Sequence, residues 1–221
     1  MNTVGVTEVR RAIERAAAAL EAHKERLTQL DQAMGDGDLG ITAGKMAVAL
    51  TAYAAEAVDD EAAEDLGRFV AQAGMTVNRA ASSSLGTLLA TALMRAGKEV
   101  RGKAELEPRD LVSMLEAADQ GIQERGKAKP GDKTIIDVVH SAAAAFAAAV
   151  DEGAELADAA ERMVTAARRG RDEVTPLRSR IGRASWVGER TEGLVDPGCE
   201  AGVVILSAIA GDPPGLPEEH T

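Results

Sequence analysis

Residues 3–40 read TVGVTEVRRAIERAAAALEAHKERLTQLDQAMGDGDLG, and the change of rhythm inside them decides the fold class. Val9, Ile13, Ala16, Leu20 and Leu27 recur at helical spacing with charges between them, which predicts an amphipathic helix from Thr3 to Leu30. The period stops at Met34-Gly35-Asp36-Gly37-Asp38-Leu39-Gly40 and resumes from Ile41 to Val58. The same alternation of helical run and punctuation continues along the chain. Further helices are predicted over Asp60–Val77, Gly86–Ala96, Thr134–Glu152, Leu156–Glu173 and Gly198–Ala210, and one over Pro108–Arg125 with its proline in the first turn. Thr175–Pro197 has no sustained period and reads as a long loop, a length more common in functional segments than in connectors. The chain is therefore all-α, with about eight helices and no strand.

Composition agrees. Hydrophobic residues make up 45% of the 221 and aromatics only 2%, with alanine dominant, which suits closely packed helices better than sheets. One helical domain is expected over residues 1–211, followed by a proline-rich tail at 212–221 expected to be disordered. A net charge of −11 argues against nucleic acid or an anionic membrane as partner, although phosphates remain accessible if cations stand between the anions. Cys199 is a single cysteine, Arg10, Arg11 and Arg15 replace the apolar block of a signal peptide, and Ala142–Val150 is too short to cross a bilayer. A cytoplasmic protein is expected.

The sharpest chemical feature is Asp31-x4-Asp36-Gly37-Asp38, three carboxylates within eight residues on a glycine-flanked turn. Hard cations such as Mg2+ take oxygen ligands and share them between a few carboxylates and substrate phosphates. The glycines at 35, 37 and 40 let the chain fold tightly enough for the three side chains to converge. An ordinary polar turn with a helix cap is the bland alternative. A calcium loop fits worse, because Gly40 and Ala47 stand where it needs oxygen ligands. Gly126-Lys127-Ala128-Lys129-Pro130-Gly131-Asp132-Lys133-Thr134 nearly spells a P-loop, but Asp132 stands where the lysine belongs and a helix precedes it. It reads as a connection in which Asp132 caps or orients the next helix and Lys133 is a loop charge. Ser82-Ser83-Ser84 before a helix is a potential anion site or a simple cap. Arg183 sits in the late loop, where it neutralises a phosphate or pairs with a surface carboxylate. His23, His140 and His220 show no ligand spacing, and His140 reads as a core residue.

Taken in order, Leu30-Asp31-x4-Asp36-Gly37-Asp38-Leu39-Gly40, Ser82-Ser83-Ser84-Leu85-Gly86-Thr87, Gly131-Asp132-Lys133-Thr134 with Asp137, Gly182-Arg183-Ala184-Ser185 and Asp196-Pro197-Gly198 resemble the dihydroxyacetone kinase L family. The resemblance runs from about residue 5 to 210. It implies a barrel of eight antiparallel amphipathic helices with a nucleotide, ADP or ATP, at one rim. It implies that Asp31, Asp36 and Asp38 coordinate two Mg2+ ions bridging the phosphates. Leu39, Gly40, Ile41 and Thr42, with Ser82, Ser83 and Ser84, would line those phosphates, and Gly126 and Ile135 would flank the base. Arg183, the one catalytic candidate, would close the site together with Asp196, Pro197 and Gly198.

In that family a separate K subunit holds the ketose, so a partner is expected. The phosphoryl donor is either exchangeable ATP or a phosphotransferase-system M subunit that recharges bound ADP; a homodimer also stays open. Leu39 stands where many members have histidine, and the serine turn replaces a glycine-rich form, which leaves the ketose open between dihydroxyacetone and a tetrulose. The alternative function is a non-enzymatic, nucleotide-dependent regulator of a partner protein.

Overall fold

The computed structural model describes residues 3–56, 64–182 and 184–212. The predicted helix start at Asp60, Arg183, His220 and the tail from residue 213 lie outside them. The helices are α1 (Val6–Ala22), α2 (Lys24–Met34), α3 (Leu39–Glu56), α4 (Leu66–Ala80), α5 (Ser84–Glu99), α6 (Pro108–Gly126), α7 (Ile135–Asp151), α8 (Leu156–Val174), α9 (Ala184–Val187) and α10 (Pro197–Ala210). Among the described residues the only β pairing is a bridge between Val4 and Leu106, which fastens the N-terminal arm to the α5–α6 connection.

Eight of these helices close a ring. In order, α1 packs on α3, α3 on α4, α4 on α5, α5 on α6, α6 on α7, α7 on α8, α8 on α10, and α10 back on α1, while α2 lies across α3 and α10. Arg15 helps to seal the closing seam by donating to the carbonyls of Ala208 and Ile209, each at 2.8 Å. A cation at the last turn of α10 also meets the negative end of that helix. Leu20, Leu27, Met46 and Phe69 are fully buried, and each contributes about 1.5–3 kcal/mol through the surface it removes from water. Tyr53 on α3 stacks on Phe69 of α4 at a centroid distance of 5.3 Å and donates its hydroxyl to the Phe69 carbonyl at 2.8 Å.

Two predicted elements differ. The helix expected over Thr3–Leu30 is broken at His23, a buried residue whose backbone leaves the helical region at φ −102 and ψ 7 and whose ring Nδ1 donates to the Ala19 carbonyl at 2.9 Å. The long loop also contains α9 and a single 3-10 turn, Gly188–Thr191, both too short to show a period. No helix among the described residues is long and apolar enough to cross a membrane.

Small residues set how closely the ring closes. A Cβ at Gly97 would lie 2.4 Å from the Gly67 carbonyl oxygen and 2.7 Å from the Ala71 nitrogen, both backbone atoms that cannot yield cheaply. At Gly44 the same atom meets only the flexible Glu21 carboxylate at 3.6 Å. Gly97→Ala is therefore expected to lose about 1–3 kcal/mol by overpacking α4 against α5, whereas Gly44→Ala gains up to about 1 kcal/mol of helix propensity. Urea denaturation with an unchanged m-value checks both signs.

Candidate functional site

The aspartate turn is shaped by how α3 begins. Gly37 takes a left-handed backbone at φ +78, a conformation that costs a side chain. Gly40 then seats the start of α3 directly on α2: a Cβ there would fall 2.0 Å from Thr28 Oγ1 and 2.2 Å from the Lys24 carbonyl oxygen. Across this crossing the Leu39 N–H donates to Asp31 Oδ2 at 3.1 Å, and the Thr42 N–H opens α3 by donating to the Asp38 carbonyl at 3.0 Å. One carboxylate oxygen from each of Asp31, Asp36 and Asp38 consequently lies within 4.8 Å of the others. Asp31 is half-buried, and Asp36 and Asp38 are exposed. Three hard oxygen donors on one open side suit Mg2+, which keeps positions for water or phosphate oxygens.

Leu39, a candidate ligand contact, turns its side chain into an apolar cluster shared with Leu85, Ile135 and Ala201. Thr42 is buried behind it, while Ile41 is 63% exposed. The same cluster reaches the serine turn, where the Ser83 hydroxyl caps α5 by accepting the Gly86 N–H at 3.1 Å and Ser82 and Ser84 face solvent. It also reaches the starts of α7 and α10. There a Cβ on Gly198 would meet the Ile135 nitrogen at 3.6 Å, so Ile135 and the Asp196–Gly198 segment are neighbours. Gly126 lies beside Leu88 and Ile136, at 3.4 and 3.6 Å from a Cβ placed on it. The candidates thus form an aspartate group on α2–α3 and a group around the starts of α7 and α10, joined through one apolar cluster that also underlies the serine turn.

The second group is built differently from what the sequence suggested. Asp132 does not cap α7; it accepts the Lys129 N–H at 2.9 Å and closes its own loop. The cap is Thr134, whose hydroxyl accepts the Ile136 N–H at 3.2 Å, supported by Asp137, which accepts the N–H groups of Gly131 and Thr134 at 2.5 and 2.8 Å. Lys133 is not a loop charge but is 1% exposed. At the start of α10, Asp196 accepts the Cys199 N–H at 2.8 Å, and the Cys199 thiol donates to the Thr134 carbonyl at 3.0 Å. Burial pushes that thiol up, so Cys199 is no nucleophile. His140 is not in the core: it is exposed and pairs with Asp119 at 2.8 Å, while Gln123 Nε2 holds the other Asp119 oxygen at 2.9 Å. Lys133 and Asp137 escaped notice as structural residues because polar side chains between helices leave no trace in a hydrophobic period.

Burial pushes the Asp196 carboxyl up to about 6, against the opposing hydrogen bond from Cys199 and the charge of Lys133. The folded protein therefore holds this proton to a higher pH than the unfolded chain, and stability is lost as pH rises from about 4, the unfolded carboxyl value, to about 6. Asp196→Asn removes this titration and keeps an oxygen for the Cys199 N–H. Between those two pH values wild type is expected to lose about 2 kcal/mol relative to the variant. Denaturant unfolding of both proteins across that range checks it, and a constant difference would refute it.

The sequence matches the DAK2 domain over residues 33–211. It is 26% identical over 204 residues to the ADP-binding subunit DhaL of a PEP-dependent dihydroxyacetone kinase of Escherichia coli (strain K12), covering 92% of this chain and 95% of that one. It is 32% identical over 190 residues to the corresponding subunit of kinase 1 of Listeria innocua serovar 6a, covering 86% and 88%. The fold is similar to that of the dihydroxyacetone kinase of C. freundii in complex with AMP-PNP and Mg2+, with a TM-score of 0.70 and 21% identity over 96% of this chain. The match takes in 35% of that kinase, so this chain spans about a third of its length. With a closed helical ring of this shape and a match that runs through most of its length, the chain belongs to the DAK2 domain family.

Proposed function

We propose that the chain is the nucleotide-holding L subunit of a dihydroxyacetone-type kinase, a phosphotransferase. The observation that carries the proposal is the convergence of Asp31, Asp36 and Asp38 within 4.8 Å at the start of α3, in a chain of this family. In this reading the three carboxylates hold two Mg2+ ions, which supply charge neutralisation for the phosphates of a bound adenine nucleotide. Phosphoryl transfer needs little covalent help and mainly needs positioning and electrostatic stabilisation.

The chain's own residues would do the positioning. The serine turn would bring hydroxyls and backbone N–H groups to the phosphates, Gly40, Ile41 and Thr42 would line them from the start of α3, and Leu39 would support them from below as a core residue. Gly126 and Ile135 flank the base. Asp196, Pro197 and Gly198 bound the site from the start of α10, and Arg183 completes it from the late loop. The ketose, dihydroxyacetone or a tetrulose, would come on a separate K subunit docking over this rim. Ile41 at 63% exposure and Trp186 at 87% give such a partner large side chains to bury. Relatives named as ADP-binding subunits of PEP-dependent kinases favour bound ADP recharged by a phosphotransferase-system M subunit, in the cytoplasm, over exchangeable ATP.

Asp36→Asn and Asp38→Asn are each expected to weaken Mg2+-dependent ADP binding by at least about a hundredfold, roughly 2.7 kcal/mol, while the helical circular dichroism stays that of wild type. Calorimetric titration checks this, and wild-type affinity in both variants would sink the proposal. Denaturing the purified protein and chromatographing what is released tests the donor: stoichiometric ADP that EDTA removes supports the bound-cofactor route.

A further inference from the structure

Lys133 has a side chain placed for one task. Its backbone is left-handed at φ 62, rare for a residue with a side chain, and its ammonium is carried into the protein rather than out to solvent. Nζ donates to the carbonyls of Thr175 at 2.7 Å, Leu177 at 2.8 Å and Thr191 at 2.6 Å, so the three N–H bonds of the ammonium meet three acceptors, two from the start of the late loop and one from its 3-10 turn. The loop is tied again from within, because the buried Thr191 hydroxyl accepts the Ser179 N–H at 3.0 Å and donates to the Gly188 carbonyl at 2.8 Å. The Arg180 N–H also donates to the Asp132 carbonyl at 3.2 Å, next to Lys133 itself. The turn Gly188–Thr191 packs against α2, the helix that carries Asp31.

We infer that Lys133 is the positioning residue of the site: its buried ammonium clasps the loop from Thr175 to Thr191 and holds it over the aspartate-bearing helix, setting the geometry in which nucleotide binds. The inference rests on the nucleotide reading above. Lys133 acts through the loop, by way of the three carbonyls it binds. Burial holds its ammonium below the usual lysine range, opposed by the charge of Asp196, and three good acceptors compensate for the desolvation.

Lys133→Met keeps the length of the side chain and removes the donors. Amide hydrogen exchange across Thr175–Thr191 is expected to rise at least about tenfold while α4 and α5 exchange as in wild type. Mg-ADP affinity, by calorimetry, is expected to fall about tenfold. Gly97→Ala, which overpacks the distant α4–α5 seam, serves as the control for general destabilisation and should move neither reading. Wild-type exchange in the loop of Lys133→Met overturns the clasp. A loosened loop with wild-type Mg-ADP affinity overturns the positioning role. If Lys133→Met does not fold, Thr191→Val must loosen the same stretch and weaken Mg-ADP, and failure of either result overturns the inference. If wild type itself does not bind Mg-ADP, the nucleotide reading fails, the positioning role falls with it, and the exchange experiment alone decides the clasp.

Discussion

The site depends on one close crossing. Where α3 begins, Gly40 brings its backbone onto α2 so tightly that a Cβ would overlap the Lys24 carbonyl and the Thr28 hydroxyl. That approach puts the Leu39 N–H in reach of the Asp31 carboxylate and folds the intervening turn back on itself, with Gly37 absorbing the reversal in a left-handed backbone. Separate the helices by the radius of one methyl group and Asp31 moves away from Asp36 and Asp38. Packing therefore gathers the three carboxylates on one turn, a set of hard oxygen donors that suits a cation.

The other side of the site is organised by buried polar groups instead of by close packing. Asp137, Thr134, Cys199 and Asp196 tie the start of α7 to the start of α10, and Lys133, in the same stretch, reaches out to the late loop. Each of these groups is satisfied by backbone partners, which makes the network directional in a way that an apolar contact is not. The loop has no helical run long enough to hold itself, so its shape is borrowed from Lys133 and Thr191. An ammonium sunk under a loop is costly to desolvate, and it persists here because three carbonyls converge on it.

Much of this was legible beforehand, and the pattern of what was not is physical. Amphipathic helices announce themselves through their period, so α3, α6, α7, α8 and α10 appear within a few residues of where periodicity puts them. The Asp31–Asp38 spacing and its glycines pointed to convergence because local backbone geometry alone can produce it. The break at His23 left no signal, since the apolar stripe continues through it from Leu20 to Leu27. Lys133 read as solvated because a lysine is nearly always so, and only the arrival of Thr175, Leu177 and Thr191 from more than forty residues away makes it a core residue. His140 erred the other way: an apolar neighbourhood in sequence suggested burial, yet the helix turns that position outward to Asp119. Long-range partners decide such residues, and single-chain patterns do not carry them.

The chain's acidity bears on the same question. A protein of net charge −11 repels a nucleotide at a distance, so the favourable terms must be short-ranged. Clustered carboxylates would deepen that repulsion if they faced phosphate bare, yet they are the strongest ligands available for a hard cation that phosphate also seeks. The geometry separates the two tasks: oxygens of Asp31, Asp36 and Asp38 gather on one turn, while hydroxyls and helix N-termini stand at the serine turn and the starts of α7 and α10. Affinity in such a site follows the occupancy of the metal, because without it only the weaker of the two sets remains. A nucleotide held this way would leave when the cation leaves.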